Sequence, residues 1–159
     1  MNWRVPFFAA YFVLNGHFVL ADECRASLVT GIDVSASTGA DGLRMQVEGI
    51  NAALRSPAVL SAMQSQGCVR ISVFLWSDGP SVVVLPWTDI SSAADAENAT
   101  AILSTAAAQY TSPLGVLTNV SGALESAEAM LGQIPPPGRQ VVSRQGLALQ
   151  HRVGPRLRG

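Results

Sequence analysis

The 159-residue chain carries 10 basic and 11 acidic residues, for a net charge of −1, and every cation is an arginine. Near-neutrality removes the whole-chain electrostatic case for nucleic acid or acidic lipid as a partner, and the length suits one domain. The arginine bias, with abundant alanine and glycine, points to a GC-rich coding sequence rather than to a functional demand.

The first residues read as an export signal. Arg4 supplies the positive start, Val5 to Leu20 is apolar apart from Asn15-Gly16-His17, and Val19-Leu20-Ala21 offers the small residues a signal peptidase needs. Residues 1–21 are therefore expected to be removed. The polar interruption makes the stretch short for a membrane span, so no membrane association is expected after cleavage and the mature chain is placed in a secreted or periplasmic setting.

The first apolar run, Ala26 to Ile32, predicts a buried strand that delivers Asp33-Val34-Ser35-Ala36-Ser37 into a loop. One carboxylate and two hydroxyls at alternate positions outline a site for a hard divalent cation, with coordination left open for water or an acidic group. The ordinary alternative is a polar loop after a strand. Leu43, Val47, Ile50 and Leu54 then recur at helical spacing until Ser56-Pro57 interrupts them.

Val69 to Trp76 predicts a second strand, Asp78-Gly79 a hairpin turn, and Ser81 to Pro86 an antiparallel edge strand in which proline is tolerated. Cys24 opens the first apolar run and Cys68 the second. If those strands lie side by side and parallel, the two sulfurs share one end of the sheet, and an oxidising compartment would join them in a disulfide.

Ser92 with Asp95 marks a helix start, continued from Ala94 to Gln109. A further helix runs from about Asn119, with Val120, Ala123, Leu124, Ala127 and Leu131 on one face, and Pro135-Pro136-Pro137-Gly138 leads into a strand at Arg139. The β-α-β order predicts an α/β fold: a mostly parallel central sheet with helices on both faces and an antiparallel edge strand.

Strand, Asp33-Val34-Ser35-Ala36-Ser37, helix, strand, hairpin strand, helix, and then Gly115-Val116-Leu117-Thr118 before another helix is a specific order. With Ser56-Pro57-Ala58-Val59 and Val73-Phe74-Leu75-Trp76-Ser77 it resembles the von Willebrand factor A-type domain across about residues 24 to 142. The likeness is closest to its secreted bacterial branch, domain of unknown function 1194. The resemblance implies a metal-ion-dependent adhesion site at the carboxyl edge of the sheet. Ser35, Ser37 and Thr118 would give hydroxyl oxygens to the ion, and Asp33 would act directly or through water. Mg2+ is the first expectation, with Mn2+ or Ca2+ as alternatives, and an acidic side chain from a protein partner would complete the shell. Each residue also has an ordinary role open to it: Asp33 as a solvated strand end, Ser35 and Ser37 in turning the chain, Thr118 as a helix cap.

The family pattern would continue past Val142 into a second acidic turn. This chain instead reads Ser143-Arg144-Gln145-Gly146-Leu147-Ala148, and residues 143–159 hold four arginines and no acid. The shift resembles out-of-frame translation. It divides the chain into a signal (1–21), a partial domain (22–142) and an aberrant or disordered basic tail (143–159), and it implies weak or absent cation binding.

The functional expectation is a cation-dependent protein-binding module and no enzyme. A truncated product without function is the first alternative. A serine hydrolase using Ser35 or Ser37 is the weaker one, because His17 leaves with the signal, His151 lies in the tail and no G-x-S-x-G elbow is present.

Overall fold

The computed structural model describes residues 24–65, 67–110, 114–134, 139–144 and 147–151. The expected signal segment and the Pro135–Gly138 turn lie outside these residues. Strand β1 (Ala26–Asp33) sits in the middle of the sheet, with β2 (Val69–Trp76) and β4 (Arg139–Arg144) parallel to it on either side. A strand covered on both faces has no solvent side, which is why the first run is near-continuously apolar rather than alternating. Antiparallel strands close both flanks, β3 (Val82–Ile90) on β2 and β5 (Leu147–His151) on β4, in the order β3-β2-β1-β4-β5. The chain is thus an α/β fold with a parallel centre and antiparallel edges.

Alternation along β2 separates two cores. Val73 and Leu75 join Ile32 beneath α1 (Gly39–Arg55) and α3 (Ala93–Ala107), while Phe74 and Trp76 join Val29 beneath α4 (Val120–Gly132). On α4 the buried positions are Ala123, Ala127 and Leu131, so small side chains let the helix lie close over the aromatic rings. Gly31 serves the same face: a Cβ there would sit 3.0 Å from ring atoms of both Phe74 and Trp76.

Helix α1 buries Leu43, Val47 and Leu54 as its spacing predicts, but the fourth buried residue is Asn51 while Ile50 is half-buried. The reason is tertiary, since α3 packs on that flank and Asn51 Nδ2 donates to Ser104 Oγ at 2.8 Å. Ser56-Pro57 restarts rather than ends helical structure, because proline fits the first turn of α2 (Pro57–Gln64). Ser92 caps α3 as expected: Asp95 N–H donates to Ser92 Oγ at 3.2 Å.

Strand β3 occupies a sheet edge, consistent with Pro86. It runs four residues beyond that proline to Ile90, held by the cross-strand pair of Arg70 and Asp89 at 2.6 and 2.9 Å and by complete burial of Ile90. Cys24 and Cys68 form the disulfide foreseen from their positions, with Cα atoms 4.5 Å apart at the amino ends of β1 and β2.

The boundary expected at Val142 is not a structural boundary. β4 continues through Ser143 to Arg144, and residues 147–151, expected to belong to a disordered tail, return antiparallel to it in β5. The physical reason is backbone pairing: β4 offers an open edge on its side away from β1, and a returning strand satisfies those N–H and C=O groups whatever its side chains. Among the described residues no helix is long and apolar enough to cross a membrane.

Candidate cation site at the carboxyl edge of the sheet

Asp33 is the last residue of β1, opposite Trp76 of β2, and the β4 register ends earlier at Gly31 opposite Arg144. Its backbone is therefore past the end of that pairing. Gln46 from α1 supplies the substitute: Asp33 N–H donates to Gln46 Oε1 at 3.1 Å, and Gln46 Nε2 donates to Asp33 O at 3.0 Å and to Gly42 O at 3.1 Å. The amide side chain thus fixes where the loop begins. The sequence reading missed Gln46, whose only local signal is its position one turn from buried Leu43.

The loop then folds onto itself. Asp33 Oδ1 accepts the Ser35 N–H at 2.8 Å, and Thr38 N–H donates to Ser35 O at 3.0 Å. Ser35 is 1 % exposed, and its Oγ lies 3.3 Å from Ser37 Oγ and 3.4 Å from Thr38 Oγ1. Asp33, Ser35 and Ser37 thus lie in one hydrogen-bonded loop, and Thr38 joins them as a third hydroxyl that the sequence reading did not single out. Among the described residues, the partners of Ser35 Oγ are the hydroxyls of Ser37 and Thr38.

Thr118 arrives on a second loop. Gly115, three residues before it, forms a parallel bridge with Ser35. Thr118 is exposed and does not cap the following helix. That role falls to Asn119, whose Oδ1 accepts the Gly122 N–H at 3.0 Å.

The turn after β2 holds this second loop in place. The carboxylate of Asp78 packs against Gly115, where a Cβ would overlap it and would come within 2.6 Å of Ser77 Oγ. A Cβ on Gly79 would likewise meet Leu114 O at 2.8 Å. Ser77 is buried, and its Oγ accepts the Gly79 N–H at 3.2 Å. The Asp78-Gly79 dipeptide is thus both a hairpin turn and a docking surface, and it brings a second carboxylate beside the bridge.

The donor set is all oxygen, with one carboxylate and three clustered hydroxyls in the first loop, and this fits a hard cation such as Mg2+ rather than a soft one. Cys24, Cys68 and Asp89 also place ligand-type atoms within 4.8 Å of one another. Those sulfurs are joined in the disulfide, and Asp89 is held by Arg70, so that group offers no thiolate.

A family model described as Protein of unknown function (DUF1194) matches residues 23–146. The chain belongs to this family. The match takes in all of β1 to β4, both loops of the site and the residues just past β4. Among solved structures the DUF1194 chain is similar to the three N-terminal domains of the type V pili tip protein Mfa5 from Porphyromonas gingivalis, at 15% identity and a TM-score of 0.53, over 76% of this chain and 19% of that one. It is also similar to the vWF domain of the same pilus tip protein, at 16% identity and a TM-score of 0.51, over 75% of this chain and 36% of that one. These likenesses show a von Willebrand A-type fold, and the chain spans little more than a third of the length of either structure's chain at most. Comparison with curated proteins gives no match.

Proposed function

We propose that this chain is a secreted or periplasmic binding module that captures a protein partner through a divalent cation held by Ser35, Ser37 and Thr118, with Asp33 acting directly or through water. The observation that carries the reading is the convergence of Asp33, Ser35 and Ser37 in a loop against which the Thr118 segment is bridged through Gly115. Pilus tip protein structures with the same fold support a role in protein–protein contact. A resident Mg2+ would supply a positive centre that accepts a carboxylate oxygen. The chain's own residues orient the hydroxyls, keep Ser35 buried and leave the outer side of the loop accessible. With so few charged ligands, affinity is expected to be weak, about 10⁻⁴ M or poorer.

Calorimetry with Mg2+ and Mn2+ on the oxidised chain tests this. Saturable uptake that is lost in Asp33→Ala and reduced in Ser35→Ala and Thr118→Ala is the expected result. Uptake that is equal in all four proteins, or absent from the parent, would remove the cation from the proposal.

A further inference from the structure

Helices α1 and α3 are tied together over only part of their length. Asn51 Nδ2 donates to Ser104 Oγ at 2.8 Å and Arg55 pairs with Glu97 at 2.8 Å, so side chains join the carboxyl half of α1 to α3. Past Ser104, α3 presents Ala107 and then Ala108, which are too small to fill the space beside the first turns of α1. A cleft of about 340 Å³ is left there, a size that suits a small ligand. Leu43, Val47 and Ala107 line it as buried apolar groups, together with half-buried Tyr110. The polar side of the lining is rich in acceptors. Asn51 is 8% exposed, and its Oδ1 has no hydrogen-bond partner among the described residues, which is a costly condition for a buried carbonyl oxygen. Glu48, three residues earlier and so on the same helix face, lines the same cleft. Arg44 is already engaged, 3.2 Å from Asp41 and 3.4 Å from Glu48, and two carboxylates against one guanidinium leave a surplus of one negative charge at the rim.

We propose that the cleft between α1 and α3 binds a small organic ammonium ion with a broad apolar body, of the arylalkylamine type. The body covers Leu43, Val47 and Ala107, and the N–H groups are shared between the Glu48 carboxylate and the Asn51 amide oxygen. Asn51 Oδ1 is buried, so meeting the ligand takes a small turn of the amide, which its single bond to Ser104 permits. Charge and donor count decide the occupant. A carboxylate is repelled by the acidic rim, and a neutral molecule gains the apolar lining but not the ion pair. The width of the apolar lining favours a ring over the narrow stem of a lysine side chain. None of Asp33, Ser35, Ser37 and Thr118 lines this cleft, so the proposal stands independently of the cation reading.

The test is an NMR titration of the full oxidised chain at low ionic strength and neutral pH with phenethylammonium, 2-phenylethanol, 3-phenylpropionate and Nα-acetyl-lysine amide. Saturable shifts at the Val47, Asn51 and Ala107 amides are expected with phenethylammonium, which should bind at least about threefold more tightly than the alcohol, with the carboxylate weakest. Glu48→Gln should bring the ammonium down to the level of the alcohol, and Asn51→Leu should weaken it further. Ala108→Leu, at an exposed position, should fill the cleft and abolish binding with amide dispersion unchanged. Because Glu48 and Ala108 are both exposed, these two variants keep the test decisive even if Asn51→Leu fails to fold. Equal binding of ammonium and alcohol, or a preference that survives Glu48→Gln, would reduce the cleft to a plain apolar pocket and overturn the proposal. Tighter binding of the lysine derivative would assign the cleft to a protein side chain and overturn it as well. So would shifts that persist in Ala108→Leu, or the absence of any saturable shift with phenethylammonium.

Discussion

The carboxylate of Asp78 occupies the space beside Gly115 that an alanine methyl would need. This one contact joins the β2–β3 turn to the loop carrying Val116, Leu117 and Thr118, and so couples two segments that are far apart in sequence. Gly115→Ala is expected to displace the loop and destabilise the chain by about 1–3 kcal/mol, as overpacking does. Urea denaturation measures the loss, and adding Asp78→Gly should recover part of it. Full stability in Gly115→Ala alone would mean that the contact is readily relieved.

Gln46→Ala removes the only side chain seen to pair with both backbone groups of Asp33 among the described residues. Leaving part-buried N–H and C=O groups without that partner costs about 1–3 kcal/mol. The midpoint in urea should fall accordingly, and Mg2+ uptake should weaken because the Asp33 loop loses its anchor. If both stay unchanged, water replaces the amide without penalty.

Reduction of Cys24–Cys68 releases a constraint spanning 44 residues. The chain-entropy estimate for a loop of that length is a loss of about 4 kcal/mol, with strain and residual unfolded structure reducing it. Thermal unfolding with and without dithiothreitol should show a clear downward shift, and the double variant Cys24→Ser/Cys68→Ser should show the same shift with no response to reductant.

Hydrogen bonds from the Ser91 hydroxyl first, then from the Ser92 hydroxyl and the Ser91 backbone N–H, hold the Asp95 carboxyl below the usual carboxylate range. A depressed folded-state value means that the stabilisation is present above the unfolded pKa and is lost as pH falls through the folded one. Stability should therefore decline below about pH 4 with a contribution that Asp95→Asn abolishes, the variant being flatter with pH over that window. The site is largely solvent-exposed, so the effect is small and is best read as a difference in slope between the two proteins. Parallel pH profiles would show that another carboxylate carries the acid dependence.

Local chemistry made much of this chain legible before folding. Val69 to Trp76 is a strand because it is apolar on both faces, Ser92 and Asp95 begin a helix because their side chains satisfy its first N–H groups, and Asp33-x-Ser35-x-Ser37 gathers its oxygens within one turn. Cys24 and Cys68 could be paired because each opens a strand and adjacent parallel strands share an end. Those signals act over a few residues, or over a repeat as short as the pleat or the helical turn. Only the tertiary structure decided that Asn51 rather than Ile50 is buried, that Gln46 completes the hydrogen bonding of Asp33, that Thr38 joins the hydroxyl cluster, and that Asp78 packs on Gly115. It also turned residues 147–151 into a strand, because an open sheet edge recruits backbone irrespective of side-chain pattern. Gln46 and Asp78 have no periodicity that announces them. Their roles arise because folding places an amide beside an unpaired strand end and a carboxylate over a glycine, and such proximity between distant residues is a property of packing, not of spacing along the chain.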